Sequence, residues 1–291
     1  MFDSQTLKKL EYLSLVSRKE FVGQTSGARR NAKLGGGVEF ADYRNYVFGD
    51  DLRNLDWNVY ARFESLFIKR FQEEGDLPVY CLLDTSRSMG ASADDPKFIY
   101  AKRLAGALAY ISLNKFDSVC VVACSDHAEQ SFPLARGKER FLELASFLEK
   151  LQPSGSATNL RDAVRDVMPR LRKPGLAILI SDCYDPNGID DSLEQILARR
   201  FEPIVLQIYT QEEAQPQTLG DLEFVDVESG RRQKFAVDDA ALAKYRARFQ
   251  AFLAQTRASC VKRNARYYAT SIDTPFDAFL LNVTRDVAFT R

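Results

Sequence analysis

Apolar positions along the chain follow two regimes. Up to about residue 76 they are interleaved with charges and aromatics; from Leu77 onward, short apolar runs alternate with segments of helical spacing. The runs are Val79 to Asp84, Ser118 to Cys124, Leu176 to Ser181 and Pro203 to Tyr209, each nearly all apolar, as expected of strands buried on both faces. Gln130 to Leu134 reads as a short edge strand and Arg266 to Thr270 as a late one. Asp95 as N-cap and Pro96 at the first position open a helix through about Asn114. Further helices are predicted over Lys138 to Leu151, Asn159 to Leu171, Asp190 to Arg200, Asp239 to Lys262 and Thr274 to Asp286. LEFVDV and QKFAV flank the turn residues Glu228, Ser229 and Gly230, so Leu222 to Val237 reads as a β-hairpin. Strands alternating with helices imply an α/β fold, a mostly parallel sheet covered on both faces.

The first 75 residues behave differently. Leu7, Leu10, Leu13 and Val16 lie near helical spacing, predicting an amphipathic helix from Ser4 to Arg18. Gly23 to Gly37 is polar, basic and glycine-rich, a loop whose three consecutive glycines lack the Gly-Lys-Ser/Thr ending of a phosphate-binding loop. In Val38 to Phe71 aromatics and charges interleave; Glu39 to Phe48 and Ser65 to Phe71 read as strands, with a turn at Gly49, Asp50 and Asp51. Arg44, Asp50, Asp51, Arg53, Asp56 and Arg62 are expected to pair around Tyr43, Trp57 and Tyr60 as a polar lock between this arm and the main domain. The alternative is a partner-binding face rich in Arg, Tyr and Trp. The division expected is a helix and β-rich arm over 1–75 and an α/β domain over 76–291, with the hairpin inserted near 222–237.

Composition narrows the function classes. The chain has 291 residues, 45% hydrophobic and 27% charged, which excludes disordered and fibrous classes. Lys plus Arg equals Asp plus Glu at 40 each, so no global electrostatic case for nucleic acid or membrane arises. No apolar run approaches the ~20 residues that span a bilayer, and the segment after Met1 is polar and helix-patterned, so no membrane span and a cytoplasmic location are expected. Cys81, Cys120, Cys124, Cys183 and Cys260 mostly fall inside apolar patterns and read as buried free thiols.

Candidate chemistry gathers where apolar strands end. VYCLLDTSRSMG stops its apolar run at Asp84, and Ser86 and Ser88 follow at alternate positions. In the loop PSGSATN, Thr158 precedes a helix; in ISDCYD, Asp182 ends another apolar strand. Open α/β sheets bind ligands beyond the carboxyl ends of strands where strand order reverses, so Asp84, Ser86, Ser88, Thr158 and Asp182 are expected to meet in one crevice. Five hard oxygens without His or Cys suit Mg²⁺ or Mn²⁺, with a position left for a carboxylate from another molecule. Asp94, Asp95, Asp185 and Asp190 lie near the same loops, but capping explains them better.

The pattern Asp-x-Ser-x-Ser, then Thr, then Asp resembles the metal-ion-dependent adhesion site of von Willebrand factor A domains. Asp84, Ser86 and Ser88 match its first loop, Thr158 the second and Asp182 the third. The block GVEFADYRNYVFGDDLRNLDWNVYARFESLFIKRF resembles the signature of a bacterial family catalogued as domain of unknown function fifty-eight, which carries such an arm ahead of an A-type domain. The resemblance implies a Rossmann-like von Willebrand factor A-type fold with an N-terminal helix-plus-β arm. It also implies a partnership with a MoxR-type AAA+ ATPase and other A-domain proteins in chaperone-like assembly. The expectation is a non-enzymatic adaptor that holds an acidic residue of a client protein through a divalent cation. The enzyme alternative is Mg²⁺-dependent phosphoryl transfer with Asp84 as nucleophile, although Ser86 stands where the aspartyl-phosphate hydrolase pattern needs a second Asp. A serine hydrolase is disfavoured because the only histidine, His127, lies in a loop and no Gly-x-Ser-x-Gly elbow surrounds either serine.

Overall fold

A computed structural model describes residues 6–12, 34–35, 39–48, 50–72, 78–115, 117–154, 159–225 and 231–288. Two compact units emerge: Gln24–Asp76 forms one, and Met1–Gly23 together with Leu77–Thr290 forms the other. The first helix (α1), described over 6–12, therefore groups with the α/β unit, whereas the sequence division placed it with the arm. The reason is apolar: Leu10 is buried in the α/β core, and Glu11 accepts a 3.1 Å hydrogen bond from Tyr110 and pairs with Lys138.

In the smaller unit, strands Leu34–Gly35 (β1), Glu39–Asn45 (β2) and Phe67–Gln72 (β3) form an antiparallel sheet in the order β1-β3-β2. A helix the sequence reading did not anticipate, Trp57–Phe63 (α2), lies between β2 and β3. Asp56 caps it, accepting from the backbone N–H groups of Asn58 and Val59, and Glu64 ends it in the left-handed conformation at φ 52°. Its aromatics Trp57, Tyr60 and Phe63 fall at helical spacing but are exposed, so the segment lacks a buried stripe and does not read as a core helix. Two of the expected polar pairs close within the arm: Arg44 bonds Asp50 at 2.6 Å, and Tyr43 donates to Asp56 at 2.7 Å.

In the larger unit the elements run Val79–Asp84 (β4), Pro96–Asn114 (α3), Ser118–Cys124 (β5), Ala128–Arg136 (β6), Phe141–Lys150 (α4), Leu160–Val167 (α5), Leu176–Ser181 (β7), Asp190–Ala198 (α6), Glu202–Tyr209 (β8), Gln211–Ala214 (α7), Gly220–Val225 (β9), Arg232–Val237 (β10), Asp239–Lys262 (α8), Arg266–Ser271 (β11) and Phe276–Ala288 (α9). Strands β9 and β10 form the expected antiparallel hairpin. The other six make one sheet in the order β11-β8-β7-β4-β5-β6, parallel throughout except for the β5–β6 pair at one edge. The chain thus has a mixed α/β architecture with a central, mostly parallel six-stranded sheet flanked by helices. Two lengths differ from the sequence reading. Strand β6 extends well beyond Gln130 to Leu134, and α5 gives way at Val167 to the 3₁₀ turn Met168–Arg170, because Pro169 has no N–H to continue the helix.

Strand alternation sorts the core into two layers. Val79, Cys81 and Leu83 of β4 pack with Leu176, Ile178 and Ile180 of β7 against α3 and α9. Tyr80 and Leu82 pack with Ala177 and Leu179 against α5, α6 and the end of α8. Continuing that alternation puts Asp84, Ser181 and Gln207 in one row on the second face, since Leu83 registers with Ile180 and Ser181 with Gln207. Among the described residues no helix is long and apolar enough to cross a membrane.

Two expected outcomes follow from this packing. A Cβ on Gly175 would lie 2.1 Å from the carbonyl oxygen of Pro78, which accepts the Leu176 N–H at 2.9 Å and fixes where β7 starts beside β4. Gly175→Ala should therefore lower unfolding free energy by roughly 1–3 kcal/mol in urea titrations. All five cysteines are free and buried, and burial pushes their thiols up, Cys81 and Cys260 to about 12 and Cys120 to about 11. A maleimide count on the native protein should approach zero and rise to the full complement in denaturant.

Candidate functional site

Strand β4 lies at the point where strand order reverses: the chain moves from β4 to β5 and β6 on one side, then returns to β7 on the other. A crevice at the carboxyl ends of β4 and β7 is the consequence. Asp84 closes β4 and is fully buried. One of its carboxylate oxygens accepts the Ser86 N–H at 2.8 Å, and the other accepts the Ser181 hydroxyl at 2.5 Å. The Ser86 and Ser88 hydroxyls are 2.9 Å apart, held by the 3₁₀ turn Arg87–Met89 that opens at Ser86. Ser88 donates to Asp182 Oδ1 at 3.3 Å, so four of the five sequence-predicted residues meet. The fifth, Thr158, lies outside the described residues. Both flanks of its loop are fastened to the site loops: Ser154 N–H donates to the Thr85 carbonyl at 2.6 Å, and Leu160 N–H to Asp185 at 2.7 Å.

Asp182 is held from several sides. Its carbonyl accepts from Gln207 Nε2 at 2.8 Å, and its Oδ1 accepts the Tyr184 N–H at 3.1 Å. Its Oδ2 faces Lys97 Nζ at 3.0 Å, and the same ammonium reaches Glu213 Oε1 at 2.7 Å. Lys97 also lies over the Tyr184 ring, 5.5 Å from its centroid, and Tyr184 stacks on Phe252. Burial pulls the Lys97 ammonium down, but Asp182 and Glu213 outweigh that effect and hold it above the ordinary lysine value.

Two of the four capping expectations agree with the structure, while Asp190 pairs with Arg263 at 2.9 Å. Asp95 accepts the Lys97 N–H at the start of α3, and Asp185 caps α5 from across the crevice. The sequence reading missed Lys97, Ser181, Gln207 and Glu213. Ser181 and Gln207 follow from strand alternation once the register is known. Lys97 carried a weak signal of its own, a lysine in the first turn of a helix, where the macrodipole disfavours a cation.

His127 does not meet Ser86 or Ser88 in the described contacts. It is exposed in the β5–β6 turn with Nδ1 2.5 Å from Asp126, and these two with Glu129 bring ligand atoms within 4.8 Å of one another.

The donor set of the crevice, two carboxylates and two hydroxyls without nitrogen or sulfur, fits a hard divalent cation. Asp84 adds a second sign: among the described residues no lysine or arginine pairs with it, although it is buried beside Asp182. Burial, followed by the charge of Asp182, pushes its carboxyl up to about 7 against the pull of Ser181 and Ser86.

An α/β protein with a polar crevice at the switch point of a parallel sheet is the class that fold and site define. The chain belongs to the family described as "Protein of unknown function DUF58", whose model matches residues 42–259. It is 24% identical over 264 residues to uncharacterized protein Rv1480 of Mycobacterium tuberculosis and to uncharacterized protein Mb1516 of Mycobacterium bovis, covering 89% of this chain and 83% of each relative. Among solved structures, it is similar to the conserved hypothetical protein BatB from Bacteroides thetaiotaomicron, with 14% identity, a TM-score of 0.46 and coverage of 72% of this chain and 97% of that one.

Because the Asp84 carboxyl titrates higher in the folded chain than its ordinary 3.8, the native state holds an extra proton between about pH 4 and 7. In chelator, Asp84 should lower stability as pH rises through that window, by up to about 1.4 kcal/mol per pH unit. Asp84→Asn should remove that slope from urea unfolding curves compared with the parent.

Proposed function

We propose that the larger unit is a von Willebrand factor A-type domain. In this reading the protein is a non-enzymatic, metal-ion-dependent protein-binding module that serves as adaptor or chaperone-like partner of a MoxR-type AAA+ ATPase. The observation that carries the reading is the convergence of Asp84, Ser86, Ser88 and Asp182 at the switch point, from loops about a hundred residues apart. Mg²⁺ or Mn²⁺ held there would offer a coordination position to an acidic side chain of a client protein.

Each residue has a task in this reading. Asp84 and Asp182 supply anionic oxygens, and Ser86 and Ser88 neutral ones. Ser181 and the Ser86 N–H fix the Asp84 carboxylate so that little conformational freedom is lost on binding. Thr158 completes the sequence pattern as the fifth ligand. The ATPase partnership rests on the family resemblance and is the outermost part of the proposal. Phosphoryl transfer with Asp84 as nucleophile has less support, since that carboxylate is buried and both its oxygens already accept hydrogen bonds.

The test is calorimetric titration with Mn²⁺ and Mg²⁺, followed by capture of an ATPase or client from cell lysate in Mg²⁺ or chelator. Asp84→Ala should weaken cation binding by about a hundredfold or more, since it removes a buried anionic ligand, and should abolish Mg²⁺-dependent capture. Its thermal midpoint in chelator should not fall, because the substitution also removes a buried charge without a counter-ion. Capture by Asp84→Ala in chelator as strong as capture by the parent in Mg²⁺ would refute the reading.

A further inference from the structure

Lys97 is placed against two unfavourable terms. It occupies the second position of α3, where the helix dipole repels a cation, and its residue is 3% exposed, where an ammonium loses hydration. The compensation is specific: Asp182 Oδ2 at 3.0 Å, Glu213 Oε1 at 2.7 Å and the face of Tyr184. The two oxygens of Asp182 are thereby divided, with Oδ1 on Ser88 and Oδ2 on Lys97. A metal-binding carboxylate in the proposed crevice thus carries a built-in monovalent cation, while Asp84 beside it carries none among the described residues.

We propose that Lys97 is a resident counter-cation that sets the charge of the crevice and weakens its hold on a divalent ion. This rests on the metal-binding reading above. Asp84, Asp182 and Glu213 against one ammonium and one divalent ion sum to zero, so removing Lys97 would leave a net negative charge around the ion. Glu213, partly exposed on α7, is the second anchor of the ammonium and draws part of its charge away from Asp182. The same contact strings three elements together: α3 through Lys97, the end of β7 through Asp182, and α7 through Glu213, whose other oxygen closes a capping box with Thr210.

The two partners of this contact predict opposite effects, read by calorimetric titration of Mn²⁺ into the full chain, alongside thermal midpoints with and without the ion. Lys97→Met removes a positive charge close to the ion and should raise Mn²⁺ affinity by about tenfold or more, while lowering the midpoint in chelator and regaining part of it in Mn²⁺. Glu213→Gln leaves the ammonium more fully directed at Asp182 and should lower Mn²⁺ affinity several-fold. If the parent binds Mn²⁺ and Lys97→Met binds it no tighter, Lys97 serves only to position Asp182 and this inference fails while the metal-binding reading stands. If Lys97→Met binds Mn²⁺ and the parent does not, Lys97 has taken over the charge of the ion outright; the inference then holds and the protein-binding reading fails. Absence of binding to both overturns both. Should Lys97→Met not fold, Glu213→Gln decides: unchanged or increased Mn²⁺ affinity overturns the inference.

Discussion

Pairing of β4 with β7 is the constraint on which the rest of the crevice depends. These strands are nearly a hundred residues apart, and their register brings Asp84 beside Ser181 and hence next to Asp182. The register is pinned at the opposite end of the strands, where Gly175 admits the Pro78 carbonyl to a distance that a Cβ would forbid. Apolar contacts on both faces then make the alignment costly to change, because a slip of one residue would exchange the two core layers. A steric detail at one end of the sheet therefore sets the chemistry at the other.

The site is built from a conflict that packing alone does not remove. Parallel strands buried on both faces supply rigid positions, but they draw the carboxylates at their ends out of water. The fold answers unevenly. Asp182 receives an ammonium, a backbone N–H and a serine hydroxyl, whereas Asp84 receives a hydroxyl and a backbone N–H but no cation among the described residues. Replacing a buried ion pair by apolar groups is often neutral or stabilising, so stability alone is a weak reason for keeping such an arrangement. Two carboxylates of unequal compensation therefore stand side by side at the switch point of the sheet.

The arm and the hairpin present the converse situation, apolar surface without cover. Trp57, Phe48 and Phe63 in the arm are largely exposed, and Phe224 and Phe235 on the hairpin remain about half exposed although their rings meet edge to face at 5.7 Å. A two-stranded hairpin is marginal by itself in water. Within the arm, Arg44 pairs with Asp50, while Asp51 and Asp56 accept backbone N–H groups.

By itself the sequence determined the sheet strands, their helices and the hairpin, because buried strands and amphipathic helices leave opposite periodicities in the order of apolar residues. It also placed Asp84, Ser86, Ser88 and Asp182 together at element ends, since an abrupt polar stop after an apolar strand is a local signal. Helix α2 escaped because its aromatic spacing has no buried partner, and α1 was grouped with the arm because adjacency along the chain says nothing of which core an apolar face will join. Only the tertiary structure decided the register that sets Ser181 and Gln207 in line with Asp84, and only it brought Lys97 and Glu213 to Asp182. Those partners lie 85, 97 and 116 residues apart in the pairs they form, and contacts across such separations are fixed by sheet order and core packing, which no window of sequence contains.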